Sequence, residues 1–370
     1  MRIGIISTVG GYSWAGSEEM WKLLATEALH RGHSVAVMAQ TPIAQCEELA
    51  EFRALGGVVF AYKPLNRLTS RTVSSGLYCR FRRLQRWRPD IVCTSGPPAT
   101  PYRDQDLYSF LRAHSGERVF IIQGNAESYI SGQAERQALR ALYRSARGVI
   151  CVSRNNAQLL QRQLTSTLPI MILPNPIRAR LEHPLPWPNK LEQVRFATVG
   201  RYEIGSKCQD RLLQALATSQ WKERNWRLDF FGSGPDESYL HDLIRYFGLE
   251  DRVVLCGFER DFTKIWMDHH LHVLTSRAEG LALALIESMF CGRPAVVTRT
   301  GGNHELVRDN KDGCVSAGED PEIIGETLER AWNSRDRWAE MGKAAFQRAN
   351  EWIPKDLSVR LFQTICDLDC

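Results

Sequence analysis

Short apolar runs alternate with amphipathic stretches through the first half of the chain, the pattern of strand-helix-strand units wrapped around a parallel sheet. Ile3–Ser7 reads as the first strand, after which Gly10 and Gly11 permit a tight turn. Ser17 is expected to cap a helix running to His30, which Gly32 ends before the strand Ser34–Ala39. Further strands are expected at Val58–Tyr62, Ile91–Thr94, Val119–Gln123 and Val149–Val152, making one doubly wound domain of six strands over residues 1–177. A non-periodic, proline-rich stretch then reads as a linker over 178–192. The alternation restarts in a second domain, 193–353. Its strands are expected at Phe196–Val199, Arg227–Phe231, Val253–Cys256, Leu271–Leu274 and Pro294–Thr298, with an unusually apolar and therefore buried helix over about 281–291. After Pro354 an amphipathic segment, Asp356–Ile365 within the last stretch 354–370, is expected to fold back as a helix, with packing on the N-terminal domain one outcome.

The resulting fold class is α/β: two doubly wound, Rossmann-like domains, with the C-terminal ends of both sheets expected to face a central cleft. Length agrees, since 370 residues exceed what one ordinary hydrophobic core accommodates. The composition, 44% hydrophobic and 24% charged, excludes a disordered or fibrous chain. No apolar run approaches the roughly eighteen residues of a membrane span, and the stretch from Met1 into the first strand has no long apolar core or cleavage site, so no secretory signal is expected in it. The ten cysteines are scattered with no Cys-x-x-Cys pair, as expected of reduced thiols in a cytoplasmic protein. The net charge of +5 hides an asymmetry. Residues 1–177 hold 21 Lys and Arg against 12 Asp and Glu, while the remainder holds 26 against 30. An anionic partner is therefore sought on the first half.

Chemistry concentrates in the second half. In Ser276-Arg277-Ala278-Glu279-Gly280-Leu281-Ala282-Leu283-Ala284-Leu285-Ile286-Glu287, Glu279 ends a strand, Gly280 allows the turn and a helix starts at once. The helix offers unpaired N–H groups and a positive dipole end, suited to a diphosphate. Glu287 lies two turns further on a similar face, so the two carboxylates can each accept from hydroxyls of a different sugar ring. The bland alternative is a helix-capping Glu279 and an ordinary paired Glu287. Against it, Glu287 sits between Ile286 and the Met289-Phe290 pair, where burial requires committed donors. Directly after the domain's first strand, Gly200-Arg201-Tyr202-Glu203-Ile204-Gly205-Ser206-Lys207 places two cations around a glycine-containing turn, where Arg201 and Lys207 can converge on phosphate oxygens.

These residues resemble the retaining glycosyltransferases of family 4, with the GT-B fold. The family's Glu-x7-Glu motif is matched by Glu279 and Glu287, and its Gly-Arg…Lys motif by Gly200, Arg201 and Lys207. Secondary matches are Phe231–Pro235, Val254–Phe258 and Gly301–Val307. The N-terminal half matches more loosely through Gly10-Gly11, Gly16-Ser17-Glu18 and Val152-Ser153. The resemblance implies a nucleotide diphosphate sugar as donor, with Gly11, Gly200, Arg201 and Lys207 around its diphosphate. It implies backbone amides of Gly280, Leu281, Ala282 and Leu283 beside that group, Glu287 on the ribose, Glu279 on the donor sugar, and Gly257 and Phe258 near the base. Glu279, Arg201 and Lys207 would carry catalysis, with no metal and no cofactor. Where many family members carry a histidine near the donor sugar, this chain has Gln123 and Asn125, which hydrogen-bond but carry no charge. The resemblance leaves the acceptor unidentified: a glycan, a lipid-linked sugar or a small molecule, in cell-surface polysaccharide or glycoconjugate synthesis. A non-catalytic sugar- or partner-binding subunit and a nucleotide-sugar epimerase stay open beside it.

Other signals carry less. Asp104-Gln105-Asp106 and Asp367-Leu368-Asp369 imitate the Asp-x-Asp metal motif of the other major glycosyltransferase fold without clearly following a strand. His269, His270 and His272 lack partner ligands at zinc spacing and are read as packing residues. The arginines of Arg80–Arg88, mixed with Tyr78, Phe81 and Trp87, read as a solvated helix packed by Phe81 and Leu84. The sharper reading is a peripheral contact with anionic lipid at the inner membrane face. No nucleic-acid recognition module accompanies the charge.

Overall fold

A computed structural model describes residues 1–10, 14–63, 80–188 and 193–366. The chain divides into two compact units, Met1–Pro176 with Lys355–Cys370, and Ile177–Pro354. Gly11, Tyr78 and the Asp367-Leu368-Asp369 segment lie outside the described residues.

In the first unit, β1 (Arg2–Ser7), β2 (Ser34–Gln40), β3 (Val58–Tyr62), β4 (Ile91–Ser95), β5 (Glu117–Ile122), β6 (Gly148–Cys151) and β7 (Ile170–Ile172) form one parallel sheet, ordered β3-β2-β1-β4-β5-β6-β7. Their continuous apolar runs follow from burial on both faces, as in Ile91–Ser95, where every residue is buried. The six strands expected become seven, because Ile170–Ile172 is three residues long and only half-buried, too short to show a period. The capping role expected of Ser17 is also corrected. The helix starts at Gly16, with Ala15 at the cap position. Ser17 Oγ instead donates to Glu18 Oε2 at 2.6 Å. Glu18 is fully buried and accepts from Ser7 Oγ at 2.8 Å as well; burial pushes its carboxyl up. The C-terminal helix Leu357–Cys366 belongs to this unit and packs on Gly16–His30, with the Phe362 ring 5.2 Å from His33.

Arg80 departs from the solvated reading of the basic segment. It is buried, with its backbone N–H 2.8 Å and its Nε 3.1 Å from Asp106 Oδ2, and it also pairs with Asp104. A buried guanidinium needs such partners, and Asp104-Gln105-Asp106 supplies them, with Asp104 also capping the helix Gln105–Ala113. That commitment accounts for both aspartates without a metal role. Phe81 and Leu84 point into the core, leaving Arg82, Arg83, Arg86 and Arg88 exposed.

The second unit holds β8 (Val194–Val199), β9 (Trp226–Phe231), β10 (Val253–Gly257), β11 (Leu271–Leu274), β12 (Ala295–Thr298) and β13 (Gly313–Ser316) in the parallel order β10-β9-β8-β11-β12-β13. The sixth strand, β13, escapes sequence reading because its apolar run is only Cys314-Val315, flanked by Gly313 and Ser316. Strand β8 sits between β9 and β11, so the loops after β8 and β11 are spatial neighbours although about seventy residues separate them. Trp221 and Trp226 pack around Phe196 in the core of this sheet. The histidine cluster is internal. His269 Nε2 lies 2.9 Å from Asp229 Oδ2, and His270 Nδ1 accepts from the Arg195 N–H at 3.1 Å. His272 Nδ1 lies 2.9 Å from Ser288 Oγ, and full burial with Lys207 nearby pushes it down to about 3, so it is neutral.

The proline-rich stretch is fastened to this unit. Leu181 and Leu185 pack beside Trp266 and Cys291, and the fully buried Arg293 donates to the Pro186 carbonyl at 2.7 Å.

Candidate functional site

Five loops at the C-terminal ends of β8 to β12 build the site, each closed by bonds to its neighbour. After β8, the Gly200 N–H donates to Phe231 O (2.9 Å), Tyr202 N–H to Ser233 O (3.1 Å) and Ile204 N–H to Asp236 Oδ2 (2.8 Å). This close approach needs Gly232, whose φ is +151° and whose added Cβ would stand 2.0 Å from Gly200 O. Gly232 in turn donates to Gly257 O at 2.8 Å, which brings the loop carrying the exposed Phe258 alongside.

The loop after β11 lies against the one after β8. The Arg277 N–H donates to Ser206 O at 2.8 Å, and Thr275 Oγ1 to the carbonyls of Lys207 and Cys208 at 3.3 and 3.2 Å. From the β12 side, Gly302 N–H donates to Gly280 O and Asn303 Oδ1 accepts from Ala282 N–H at 3.0 Å. Gly301 makes that seam possible: at φ +49° its added Cβ would meet Glu279 O at 2.3 Å.

Two of the sequence-predicted residues meet directly. Lys207 Nζ pairs with Glu279 Oε1, and Ser276 Oγ donates to the same oxygen at 2.8 Å. Both side chains are largely covered, 19% exposed for Lys207 and 11% for Glu279, so the pair is only weakly screened by solvent. An ammonium has three donors, so one bond to Glu279 does not exhaust Lys207. Arg201 sits at the same loop, with Nη1 3.2 Å from Glu203 Oε2 and its carbonyl accepting from Gln209 Nε2 at 2.6 Å.

Glu279 leads through Gly280, Leu281 and Ala282 into the site helix, Leu283–Phe290. The Ala282 amide, expected beside a phosphate, is already given to Asn303; Leu283 opens the helix, and its N–H has no intrahelical acceptor. Glu287 is buried, as its apolar neighbours imply, at 1% exposure. Its partner escaped the sequence reading: Arg178 Nε lies 2.9 Å from Glu287 Oε1. Arg178 belongs to the stretch read as linker, where Arg178-Ala179-Arg180 follows Pro176 with nothing in sequence to single it out.

In the first unit, Asn125 is committed locally, with Nδ2 donating to Gln163 Oε1 at 2.7 Å and Oδ1 accepting from Ala126 N–H at 2.9 Å. Gln123 differs. It is 7% exposed at the end of β5, its Oε1 is 3.5 Å from Ser95 Oγ, and its Nε2 has no hydrogen-bond partner among the described residues. Of the two amides, Gln123 is the one with a donor to spare.

Comparison with known proteins matches both halves. Residues 14–180 match the family described as Glycosyltransferase Family 4, and residues 193–334 match Glycosyl transferases group 1. An exopolysaccharide phosphotransferase of Streptomyces coelicolor is 34% identical over 129 residues, 34% of this chain and 14% of that protein. An N-acetyl-alpha-D-glucosaminyl L-malate synthase of Bacillus anthracis is 25% identical over 139 residues, 38% of this chain and 36% of that protein. The chain thus spans well under half the length of these relatives. Among solved structures, a sucrose-phosphate synthase of Thermosynechococcus elongatus superposes with a TM-score of 0.77 at 16% identity, covering 98% of this chain and 97% of that one. HepE of Anabaena, in complex with UDP-glucose, superposes with a TM-score of 0.74 at 17% identity, covering 99% and 98%. Two parallel α/β sheets, a shared fold along nearly the whole chain and family matches on both halves lead to one assignment: the chain belongs to the glycosyltransferases of group 1 and family 4, with the GT-B fold.

Proposed function

We propose that this glycosyltransferase moves a sugar, with retention of configuration, from a nucleotide diphosphate sugar to an acceptor hydroxyl, in polysaccharide or glycoconjugate synthesis. One observation carries the reading: Lys207 and Glu279, seventy-two residues apart, are brought together with Ser276 at the entrance to the site helix, beside Arg201. In this reading Arg201 and Lys207 neutralise the diphosphate with help from the first helix amides, Glu279 accepts from donor-sugar hydroxyls, and Glu287 accepts from the ribose. The C1–oxygen bond to the diphosphate breaks as the acceptor oxygen bonds to C1 on the same face. The acceptor's proton passes to the departing phosphate oxygen, and the cations stabilise the charge that grows there. Gln123 is the N-terminal amide suited to a sugar hydroxyl. The first unit would serve the acceptor and the second the donor. A cytoplasmic location fits, and no described helix is long and apolar enough to cross a membrane. The exposed Arg82, Arg83, Arg86 and Arg88 support peripheral contact with anionic lipid. Intact Arg201, Lys207, Glu279 and Glu287 speak against a non-catalytic subunit.

With cations and helix amides neutralising the phosphates, at least one of UDP, GDP and ADP is expected to bind in EDTA. Calorimetry or a thermal-shift panel reads this directly, since a ligand of the native state raises its stability. Binding that appears only when magnesium or manganese is restored would overturn the metal-independent reading. Glu279→Gln keeps the shape and still accepts from Lys207 and Ser276, so affinity for the bare diphosphate is expected to change little while turnover falls strongly. Equal loss of both would instead make Glu279 a support of the loop.

A further inference from the structure

Glu287 is the most deeply buried carboxylate of the site, and a buried carboxylate is costly unless donors are fixed on it. Its surroundings on the site helix are Ile286, Ser288 and Met289, all buried, and the charge comes from outside the helix. Arg178 reaches it from a side chain that is one-third exposed, with Nε 2.9 Å from Glu287 Oε1. The approach is not accidental. Two residues further along, the Arg180 guanidinium lies 5.0 Å over the Phe290 ring, while its Nη1 donates to Asn350 Oδ1 at 3.1 Å and its Nη2 to the Ile353 carbonyl. Residues three apart share a helix face, and Glu287 and Phe290 are so placed. Arg178 and Arg180 therefore lie along the site helix as a pair, meeting Glu287 and Phe290. Further on, the Leu185 N–H donates to Cys291 O at 3.2 Å, so the segment follows the helix past its end.

We propose that Arg178 is a positioning residue for nucleotide recognition: it holds the Glu287 carboxylate charged and oriented so that it accepts from the ribose hydroxyls. The inference rests on the reading that Glu287 takes the ribose. A carboxylate has about four acceptor positions, so one guanidinium and a ribose diol are satisfied together. An arginine paired with one oxygen of the carboxylate selects the rotamer that a ribose meets.

The test is calorimetric, on the full chain. The tightest binder among UDP, GDP and ADP is compared with its 2′,3′-dideoxy form for wild type, R178A, R178Q, R178K and E287Q. Wild type is expected to prefer the ribose form by about tenfold or more, the scale of a hydrogen bond to a charged group. R178A and R178Q are expected to lose that preference, their affinity for the ribose form falling to that for the dideoxy form, which stays unchanged. R178K is expected to restore most of it, and R178A/E287Q to be no worse than E287Q. Equal weakening of both forms in R178A and R178Q would reduce Arg178 to a structural pair. A preference that survives in both would remove it from recognition. If wild type itself binds both forms equally, the ribose reading of Glu287 fails and this inference with it, which separates the two failures.

Discussion

Lys207→Ala is expected to lower sugar transfer by roughly a hundred- to a thousandfold, the cost of removing one preorganised donor to a developing negative charge, about 2.7–4 kcal/mol of barrier. Arg201→Ala is expected to act similarly. The charge on the leaving diphosphate is larger in the transition state than in the bound donor, so turnover is expected to fall further than donor affinity. Lys207 also pairs with Glu279. Its removal leaves a largely covered carboxylate without its cation, and part of any effect would come from that. A double-mutant cycle with Glu279→Gln separates the contributions, since a coupling confined to the pair appears as non-additivity. Transfer is assayed where an acceptor is known, and slow donor hydrolysis otherwise, beside donor affinity by calorimetry. Variants that lose affinity in full proportion to turnover would show that Lys207 and Arg201 only bind. A wild-type protein that binds nucleotide sugar and neither transfers nor hydrolyses it would favour the non-catalytic reading.

The second large effect is on stability. Arg293 is fully buried, and its partners are backbone carbonyls: Nε faces Trp266 O and His269 O at 2.9 Å each, Nη1 faces Cys291 O at 2.9 Å, and Nη2 faces Pro186 O at 2.7 Å. The guanidinium also lies 5.3 Å over the Trp187 ring. Burial pulls its ionisation down to about 10, which still leaves it charged at neutral pH. Methionine fills similar space and donates nothing, so several buried carbonyls lose their donor, each at about 1–3 kcal/mol. Arg293→Met is expected to destabilise the second unit by about 3 kcal/mol or more, which for a unit of this size is a fall in melting temperature of about 6–12 °C. Scanning calorimetry of the full chain measures it. Arg293→Lys keeps a charge but not the planar fork, and is expected to recover only part of the loss. A wild-type melting temperature in Arg293→Met would show that the 181–188 stretch is not anchored through this side chain.

The same residue shows where sequence reading stops. Proline spacing marks 178–192 as a break in periodicity, and no helix or strand is described over 178–188. Whether such a stretch hangs free or is tied down depends on a side chain more than a hundred positions away, and Arg293 in Cys291-Gly292-Arg293-Pro294 looks like any charged residue near a strand. Arg80 is a parallel case. Within Arg80–Arg88 it is one arginine of several, and only the placement of Asp104 and Asp106 against it turns a surface charge into a buried ion cluster.

The sequence by itself determined what is local. Apolar runs of a strand's length gave eleven of the strands, because burial on both faces of a parallel sheet imposes an unbroken run that needs no partner to be seen. Of the strands it lost, Ile170–Ile172 is only three residues long, and Gly313–Ser316 holds only the apolar pair Cys314-Val315 between a glycine and a serine. The Glu279 to Glu287 motif and a helix start between them were likewise legible, but the shared helix face was not: the strand ends at Leu274 and the helix begins at Leu283, so Glu279 stands in the loop and Glu287 only about one turn into the helix. Strand order decided the rest. Lys207 meets Glu279 because β8 lies beside β11, and Arg178 meets Glu287 because the segment after the unit boundary runs along the site helix. Such pairings join residues separated by 72 and 109 positions. No periodicity links positions that far apart, so only the tertiary structure could choose the partners: a cation goes to whichever carboxylate the folded chain desolvates beside it.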